Sequence, residues 1–375
     1  MQKLVTWSLL TALGLFIWSC GEDDDPRVDD NFDQKSFLVN IGTNLIVPAY
    51  AELKDRSDEL YASLQAFVAT PNPSNLEAAR DALLEARMAF QYCAPYQFGP
   101  AEQLGLVADQ NIFPSDKNRI ESNILSGSYD LRLLSNSAAK GFPALGYLLY
   151  GSEKSDEEIG NDFLNDDQRA AYLLDVAETI STSAAAVFTA WDPSGGNYLA
   201  EFTSDGALGA DAGSSLGILV NALNLSLERN TRDAKIGIPA GIRSLGIIIP
   251  EATEAYYGGY SKQLAVANLM AFKRLFLGEN LNGEPGTGFS DYLQARSSVS
   301  SNNNELSLEA AILVEFDASI ALLQALEDPL STSISIDPAP AQQVFAQLQK
   351  LSVLLKTDMA SILGVVISYQ DNDGD

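Results

Sequence analysis

The chain has 375 residues, with 23 Lys and Arg against 50 Asp and Glu, two Cys and no His. Its hydrophobic fraction of 46% predicts a packed globular protein, and its net charge of −27 argues against the basic surface that nucleic-acid binding requires. Because histidine is absent, the chain cannot supply a Ser–His–Asp triad, a His-ligated zinc site or a His-ligated haem.

The first 19 residues are predicted to be a lipoprotein signal peptide. Lys3 gives a short positive start, and an uncharged, mainly apolar run from Leu4 to Trp18 follows it. Such a run is too short to cross a bilayer as a mature helix. It ends at Cys20 in a context that resembles a bacterial lipobox, so we expect lipidation of Cys20. The alternative is an ordinary cleaved signal with an incidental cysteine.

Residues 20–35 are predicted to form an acidic tether. Acidic runs are normally just solvated, but beside a lipidated cysteine this one resembles the surface-export signal of lipoproteins of the Bacteroidetes type. We therefore expect an outer-membrane lipoprotein, periplasmic or surface-exposed, with surface exposure favoured, held to the membrane by its lipid anchor. Lipidation of Cys20 would leave Cys93 as a single thiol, for which we predict a buried structural role.

Apolar residues at helical spacing dominate the mature sequence. A helix is predicted to open near Phe37, and another to begin with a capping box from Ser74 to Glu77. Gly278 is predicted to end a helix over residues 261–277. The other clear stripes are Leu173, Ala177, Ile180, Ala184 and Val187; Leu216, Val220, Leu223 and Leu227; Ile312, Phe316, Ile320 and Leu323; and Val344, Leu348, Leu351 and Leu355.

The predicted fold class is all-α, with antiparallel helices in bundles, because clean alternation of period two is nearly absent. Gly151 and Gly160 lie in a polar stretch that interrupts the helical period. We therefore predict an N-terminal helical bundle over residues 36–155 and a C-terminal helical bundle over residues 156–370. Long connections at 192–215, 236–259 and 280–288 are where function is expected.

The segment GFPALGYLLYG at 141–151 resembles the imelysin family of bacterial surface and periplasmic proteins. Similar landmarks in the same order extend the resemblance to most of residues 36–366: VPAY at 47–50, FGPA at 98–101, FPSDKNRI at 113–120 and KIGIP at 235–239. The resemblance implies two tandem four-helix bundles with the signature segment facing the cleft at the domain interface. It also implies an association with iron acquisition, which in some members involves metal or haem.

The family signature is Gly-x-His-x-x-Glu, proposed in that family as a metal site and as part of a metallopeptidase. Gly141 matches its glycine, but Pro143 stands at the histidine position and Gly146 at the glutamate position. Neither residue has a side-chain ligand, and no other histidine exists to replace the missing one. Peptidase activity is therefore not carried over to this chain, and no catalytic residue is assigned.

Two groups of residues remain as candidates for binding. Asp116 and Arg119 are interpreted as a cleft pair, in which the arginine receives a carboxylate or phosphate-like ligand; the alternative is a helix-start acid beside a surface arginine. A loop rich in Glu and Tyr at 251–260 offers carboxylate and phenolate oxygens that suit Fe(III), although plain packing is favoured. The predicted cleft residues are Asp116, Arg119, Gly141, Pro143, Gly146, Tyr147, Glu254, Tyr257, Tyr260 and Ser261, with Glu251 and Glu254 as weak metal candidates.

The expected function is that of a monomeric, non-catalytic binding lipoprotein linked to the uptake of iron, haem or another nutrient, with an uptake-system protein as partner. The cofactor is not identified by the sequence, and iron is a metal with which its carboxylate and phenolate oxygens are compatible. One alternative is a metallopeptidase with replacement ligands drawn from Glu251, Glu254 or Asp116. Another is an uptake lipoprotein that binds glycans or peptides on exposed aromatic residues.

Overall fold

The computed structural model describes residues 32–151, 154–297 and 306–369. These ranges contain helices and connections and no β-strand, which confirms the all-α prediction. The predicted signal peptide, Cys20 and most of the tether lie outside the described residues. The α-helices are α1 (Gln34–Asn40), α2 (Val47–Ala69), α3 (Pro73–Tyr92), α4 (Pro100–Gln103), α5 (Leu106–Gln110), α6 (Lys117–Ser126), α7 (Gly141–Tyr150), α8 (Asp156–Asn165), α9 (Asp167–Trp191), α10 (Tyr198–Phe202), α11 (Ser215–Leu225), α12 (Ser261–Leu277), α13 (Phe289–Ser297), α14 (Leu308–Gln324), α15 (Leu330–Ile336), α16 (Ala339–Val353) and α17 (Ala360–Leu363).

Three π-helical stretches continue these helices without a break. They are Ile41–Ile46 between α1 and α2, Ser226–Gly237 after α11, and Leu354–Met359 between α16 and α17. Short 3₁₀ turns lie at Ala94–Tyr96, Leu134–Ala139, Asp205–Ala207 and Pro250–Ala252. Of the three π-helical stretches, Ser226–Gly237 is the longest, and it carries buried polar side chains into the centre of the molecule.

Four helices form a first bundle. Helix α2 packs against α3 and α9, and α7 also packs against α3 and α9, so that the four close around a core. By length and composition α9 could cross a membrane, but it buries one helical stripe, including Leu173 and Ile180, against this bundle. Asp175 and Glu178 lie exposed on the opposite face. Helix α9 therefore has the amphipathic pattern of a bundle helix.

A second bundle consists of α12, α14, α16 and the π-helical stretch Ser226–Gly237. Helix α14 packs against α12 and α16, and the π-helical stretch packs against the same two helices. Phe316 of α14 and Leu348 of α16 are fully buried, as their stripes predict. The packing of α3 against α12 joins the two bundles, and their buried apolar residues form one continuous core.

The sequence predicted a boundary between two bundles at residues 155 and 156, which would place α9 in the C-terminal bundle. In the structure α9 packs against α2 and α7, so it belongs to the first bundle. The polar stretch there forms the start of α8 instead. Ser155 accepts a hydrogen bond from the backbone N–H of Glu158, whose carboxylate accepts one from the backbone N–H of Ser155 at 2.7 Å. This capping box begins α8, which lies along the chain between α7 and α9, two helices of the first bundle.

Two predicted helix ends have different outcomes. The predicted capping box from Ser74 to Glu77 is wrong, because α3 begins at Pro73 and Asn72 caps it, accepting a hydrogen bond from the N–H of Asn75 at 2.9 Å. Proline is favoured at the first helical position, and with Pro73 there the helix starts two residues earlier than it would with Ser74 as its cap. Gly278 ends α12 with a φ of 71°, as predicted.

Candidate ligand cavity at the junction of the bundles

A cavity of about 400 Å³ lies where α3 and α7 of the first bundle meet the turn that leads into α12. Its volume is in the range of small-molecule sites in proteins. Polar and apolar groups contribute to its wall in similar measure. The wall is formed by Arg87, Phe113, Pro114, Ser115, Lys117, Pro143, Gly146, Glu251, Thr253, Ala255, Tyr256 and Tyr257.

The two departures from the family signature lie in this wall. Pro143 and Gly146 both belong to α7, and both are buried. Gly141 does not reach the cavity; its φ is 73°, and a side chain there would collide with the backbone carbonyl of Gln110. Gly141 is therefore required by the close approach of α5 to the start of α7. At Gly146 an added Cβ would instead meet only Nη1 of Arg87, at 3.7 Å.

Arg87 is the buried cation of the cavity wall. Its side chain is 1% exposed, and Nη1 donates a weak hydrogen bond of 3.4 Å to the hydroxyl of Tyr260. The guanidinium carbon lies 5.7 Å from the centre of the Tyr260 ring. The other two nitrogens, Nε and Nη2, are buried and have no hydrogen-bond partner among the residues that the structure describes. A buried charge with unmade hydrogen bonds is costly, so its presence in a cavity wall calls for an explanation.

Behind this wall lies a buried polar cluster centred on Glu254. One carboxylate oxygen, Oε1, accepts hydrogen bonds from Gln91 Nε2 at 3.0 Å and from Asn111 Nδ2 at 2.8 Å. The other, Oε2, forms an ion pair with Nζ of Lys235. Lys235 also donates to Oε1 of Gln91 at 2.9 Å. Each of these groups is thus held by at least one other member of the cluster.

The cluster extends into α12. Asn268 Nδ2 donates to Oε1 of Gln91 at 3.0 Å, and the Thr231 hydroxyl donates to Oδ1 of Asn268 at 2.6 Å. The hydroxyl of Ser261 donates to the backbone carbonyl of Glu254. These hydrogen bonds therefore link helix α3, the π-helical stretch and α12 behind the cavity wall.

Within the cluster, Glu254 is an anion whose charge is compensated by Lys235. Burial alone raises the pKa of a carboxyl group, but the charges of Lys235 and Arg87, together with hydrogen bonds, outweigh burial and hold the pKa of Glu254 below its ordinary value. Burial lowers the pKa of Lys235, and Glu254 offsets only part of this effect. The carboxylate oxygens of Glu254 are occupied by protein donors and are not free for a metal ion.

Glu251 and Glu254, the two weak metal candidates, have different surroundings. Glu251 is exposed at the cavity rim, whereas Glu254 is 1% exposed and bound to Lys235. Across residues 32–151, 154–297 and 306–369, no group of three or more Asp, Glu or Cys side chains is placed to hold a metal ion. These carboxylates therefore do not assemble a replacement metal site in the described structure.

The predicted pair of Asp116 and Arg119 is a helix cap. Asp116 Oδ1 accepts a hydrogen bond of 3.0 Å from the backbone N–H of Arg119 at the start of α6. Both residues are exposed, and the part of the cavity wall that the structure describes includes neither of them, although it includes Ser115 and Lys117. The arrangement is that of a helix-start acid beside a surface arginine.

Two of the predicted tyrosines, Tyr147 and Tyr257, are in ring contact with each other, whereas the ring of Tyr260 contacts that of Tyr150. The ring of Tyr257, in the cavity wall, lies 5.3 Å from that of Tyr147 and 5.1 Å from that of Tyr256, edge to face in both cases. Tyr147 donates a hydrogen bond of 2.8 Å to Glu121. Burial raises the pKa of Tyr257 and of Tyr147, so both phenols are protonated at neutral pH. These contacts are aromatic packing of the kind that the sequence favoured.

Ala255, in the cavity wall, has a φ of 55°. This left-handed conformation costs a non-glycine residue about 1–2 kcal/mol. Backbone strain of this kind concentrates at ligand sites and is maintained by surrounding contacts, here those of the adjacent Glu254.

The sequence reasoning missed Arg87 and Gln91, and a signal for both was present. They lie on α3 at the spacing of Leu83 and Phe90, so they occupy the helix face that the apolar stripe directs into the core. A charged side chain at such a register is uncommon unless it has a polar partner or a function. Lys235 had no comparable signal, because its partner Glu254 is 19 positions away.

Two solved structures of other proteins have a similar fold. An imelysin-like protein from Psychrobacter arcticum has a TM-score of 0.67 at 19% identity, with 90% of this chain and 97% of that one covered. A candidate iron-regulated protein A precursor from Parabacteroides distasonis has a TM-score of 0.68 at 16% identity, with 88% and 94% covered. Both likenesses concern the fold.

Sequence comparison adds a relative and a family. Iron-regulated protein A from Synechococcus elongatus is 26% identical over 201 residues, a match that spans only 51% of this chain and 51% of that relative. The sequence model of the imelysin (peptidase M75) family matches residues 46–357. That match begins at the start of α2 and ends after α16, so it includes both bundles and the cavity between them. The chain therefore belongs to the imelysin family.

Proposed function

We propose that this protein is a binding member of the imelysin family that takes a ligand in the cavity and does not hydrolyse peptides. The observation that carries the proposal is the presence of Pro143 and Gly146 in the cavity wall, at the positions of the signature histidine and glutamate. Neither offers a metal ligand. The buried carboxylate of Glu254, behind the wall, is bound to Lys235.

The names of two relatives support a link to iron. Proteins from Synechococcus elongatus and Parabacteroides distasonis carry names that refer to regulation by iron. We propose that the present chain acts in the uptake of iron or of another nutrient, together with a protein of an uptake system. With no histidine in the sequence, haem would have to be held without a histidine ligand from this chain.

The N-terminal sequence supports a location for this binding protein. Lipidation of Cys20 and the acidic tether that follows it would hold the helical body at the outer membrane, facing outward. Metabolic labelling with a palmitate analogue tests the anchor, with Cys20→Ala as the control that should lose the label. Digestion of intact cells with an added protease tests the orientation, since a periplasmic protein would be protected.

A proteolysis assay tests the absence of catalysis. The purified mature protein is incubated with unfolded casein and with Zn²⁺, Fe²⁺ or Co²⁺, with and without a chelator. We expect no cleavage that depends on the metal. A matched variant, Pro143→His with Gly146→Glu, restores the two signature side chains and shows whether the site can accept a metal once the ligands are present. Metal-dependent cleavage by the unmodified protein, abolished by the chelator, would overturn the proposal.

A further inference from the structure

We infer that the cavity receives the oxyanion group of a small organic or inorganic ligand, a carboxylate or a phosphate, and that Arg87 binds this group. The inference rests on the proposed function and names its ligand class. Four observations support it: the unpaired nitrogens of Arg87, the empty position at Gly146, the charge balance of the wall and the size of the cavity.

The unpaired nitrogens of Arg87 form one edge of its guanidinium. Nε and Nη2 lie side by side, and this is the edge that binds two oxygens of one carboxylate or phosphate group. In the ligand-free protein both nitrogens are buried, so binding through this edge requires a local shift of the side chains that cover it. Arg132 shows the same edge in use within this chain, since its Nε and Nη2 bind the two carboxylate oxygens of Asp130 at 2.9 Å each. Arg132 is an exposed surface residue, whereas Arg87 is 1% exposed and has no carboxylate partner within the described part of the chain.

Gly146 explains why the Arg87 guanidinium has no carboxylate partner among the described residues. An added Cβ at position 146 would stand 3.7 Å from Nη1 of Arg87, so a glutamate there would bring its carboxylate within reach of the guanidinium. With glycine at this position the internal carboxylate is absent, and the space that a glutamate side chain would fill belongs to the cavity. The same departure from the family signature therefore removes a metal ligand and frees a cation.

The charge balance of the wall favours an anion over a cation. Behind the wall, Lys235 and Glu254 neutralise each other. At the rim, Lys117 and Glu251 are both exposed and of opposite sign. Among the described residues of the wall this leaves the charge of Arg87 as the buried one, so a bare metal ion would be repelled and an oxyanion attracted.

The size and lining of the cavity limit the ligand. A volume of about 400 Å³ admits a small molecule or one end of a larger one. Phe113, Tyr256 and Tyr257 provide aromatic surface for the remainder of the ligand. The ligand class is therefore a small oxyanion, with room for an organic part beside it.

Calorimetric titration of the purified mature protein tests this inference, with sodium phosphate and sodium citrate as the two probes at constant ionic strength. We expect saturable binding of at least one of them; phosphate alone would identify a phosphate group and citrate alone a carboxylate. Arg87→Met should weaken binding by at least about tenfold. Arg132→Met, which removes the same guanidinium edge from an exposed position, should leave it unchanged.

Variants at position 146 provide a test that does not depend on removing Arg87. Gly146→Glu should pair with Arg87, abolish anion binding and raise the melting temperature of the ligand-free protein. Gly146→Gln adds the same bulk without the charge and should give no such rise.

The inference is overturned if neither phosphate nor citrate binds saturably. It is also overturned if Arg87→Met binds them as the unmodified protein does, or if Gly146→Glu and Gly146→Gln behave alike in both measurements. None of these results would bear on the absence of proteolysis, which the casein assay decides separately.

Discussion

Lys235 and Glu254 form an ion pair in which the lysine side chain is 4% exposed and the glutamate side chain 1%. The lysine belongs to the π-helical stretch Ser226–Gly237, the glutamate to the turn before α12, and both bind Gln91 of α3. The pair thus fastens the second bundle to the first directly behind the cavity. Because taking two charges out of water is costly, its contribution lies more in fixing this geometry than in net stability.

Removal of the anion from this pair should be strongly destabilising. We expect Glu254→Gln to lower the free energy of unfolding by about 3–5 kcal/mol, because Lys235 would remain buried without a counter-charge. Urea denaturation followed by circular dichroism measures the change. The double variant Glu254→Gln with Lys235→Met removes the stranded charge and should recover part of the loss. A single-variant change of less than about 1 kcal/mol would show that Lys235 finds another partner or loses its proton.

The same pair predicts how stability depends on pH. The pKa of Glu254 is lower in the folded protein than its ordinary value of 4.5, so the unfolded chain takes up the proton first as the pH falls. The stabilisation by this carboxylate is complete above pH 4.5 and is lost as the pH falls below it. The charged groups that act on Glu254 are Lys235 and Arg87.

Unfolding free energies measured between pH 7 and pH 3 test this dependence. The unmodified protein should lose more stability below pH 4.5 than Glu254→Gln, which has no proton to gain at this position. The other acidic groups titrate in both proteins and serve as the common background. Parallel curves for the two proteins would contradict the assignment.

Much of the fold followed from the helical period, because that period records which face of each helix is buried. Leu216, Val220, Leu223 and Leu227 predicted a helix, and all four are buried in α11 and its π-helical continuation. The period does not record which helices share a bundle. The assignment of α9 to the first bundle depends on its fit against α2, and no local pattern near residue 155 marks it.

The candidate site could be predicted only in part. The resemblance to the imelysin family led to Pro143 and Gly146, which do line the cavity, and the glutamate- and tyrosine-rich loop contributes Glu251, Tyr256 and Tyr257 to its wall. The interpretation of Arg87 as a ligand-binding residue depends on the absence of a side chain at position 146, which lies on another helix. Such a relation is tertiary, so spacing along the chain cannot show it.

Cys93 should be unreactive in the folded protein. The thiol is free and buried, as the sequence predicted, and Sγ donates to the backbone carbonyl of Ala49 at 3.4 Å. Burial raises the pKa of this thiol, which suppresses the reactive thiolate. In a Cys20→Ala background, Ellman's reagent should detect one thiol in denaturant and almost none under native conditions. Rapid native labelling, absent from Cys93→Ala, would mean that the first bundle opens readily.

Substitutions of Asp116 and Arg119 should differ in their effect on stability, because Asp116 caps α6 and Arg119 is a surface residue. Asp116→Ala removes the acceptor for the backbone N–H of Arg119 at the start of α6 and should cost about 1 kcal/mol of stability. Arg119→Ala changes an exposed side chain and should remain within about 0.5 kcal/mol. Urea denaturation checks both values, and calorimetric titration with phosphate and citrate should give unchanged affinities. If Arg119→Ala weakened either affinity by about tenfold, the arginine would belong to the binding site after all.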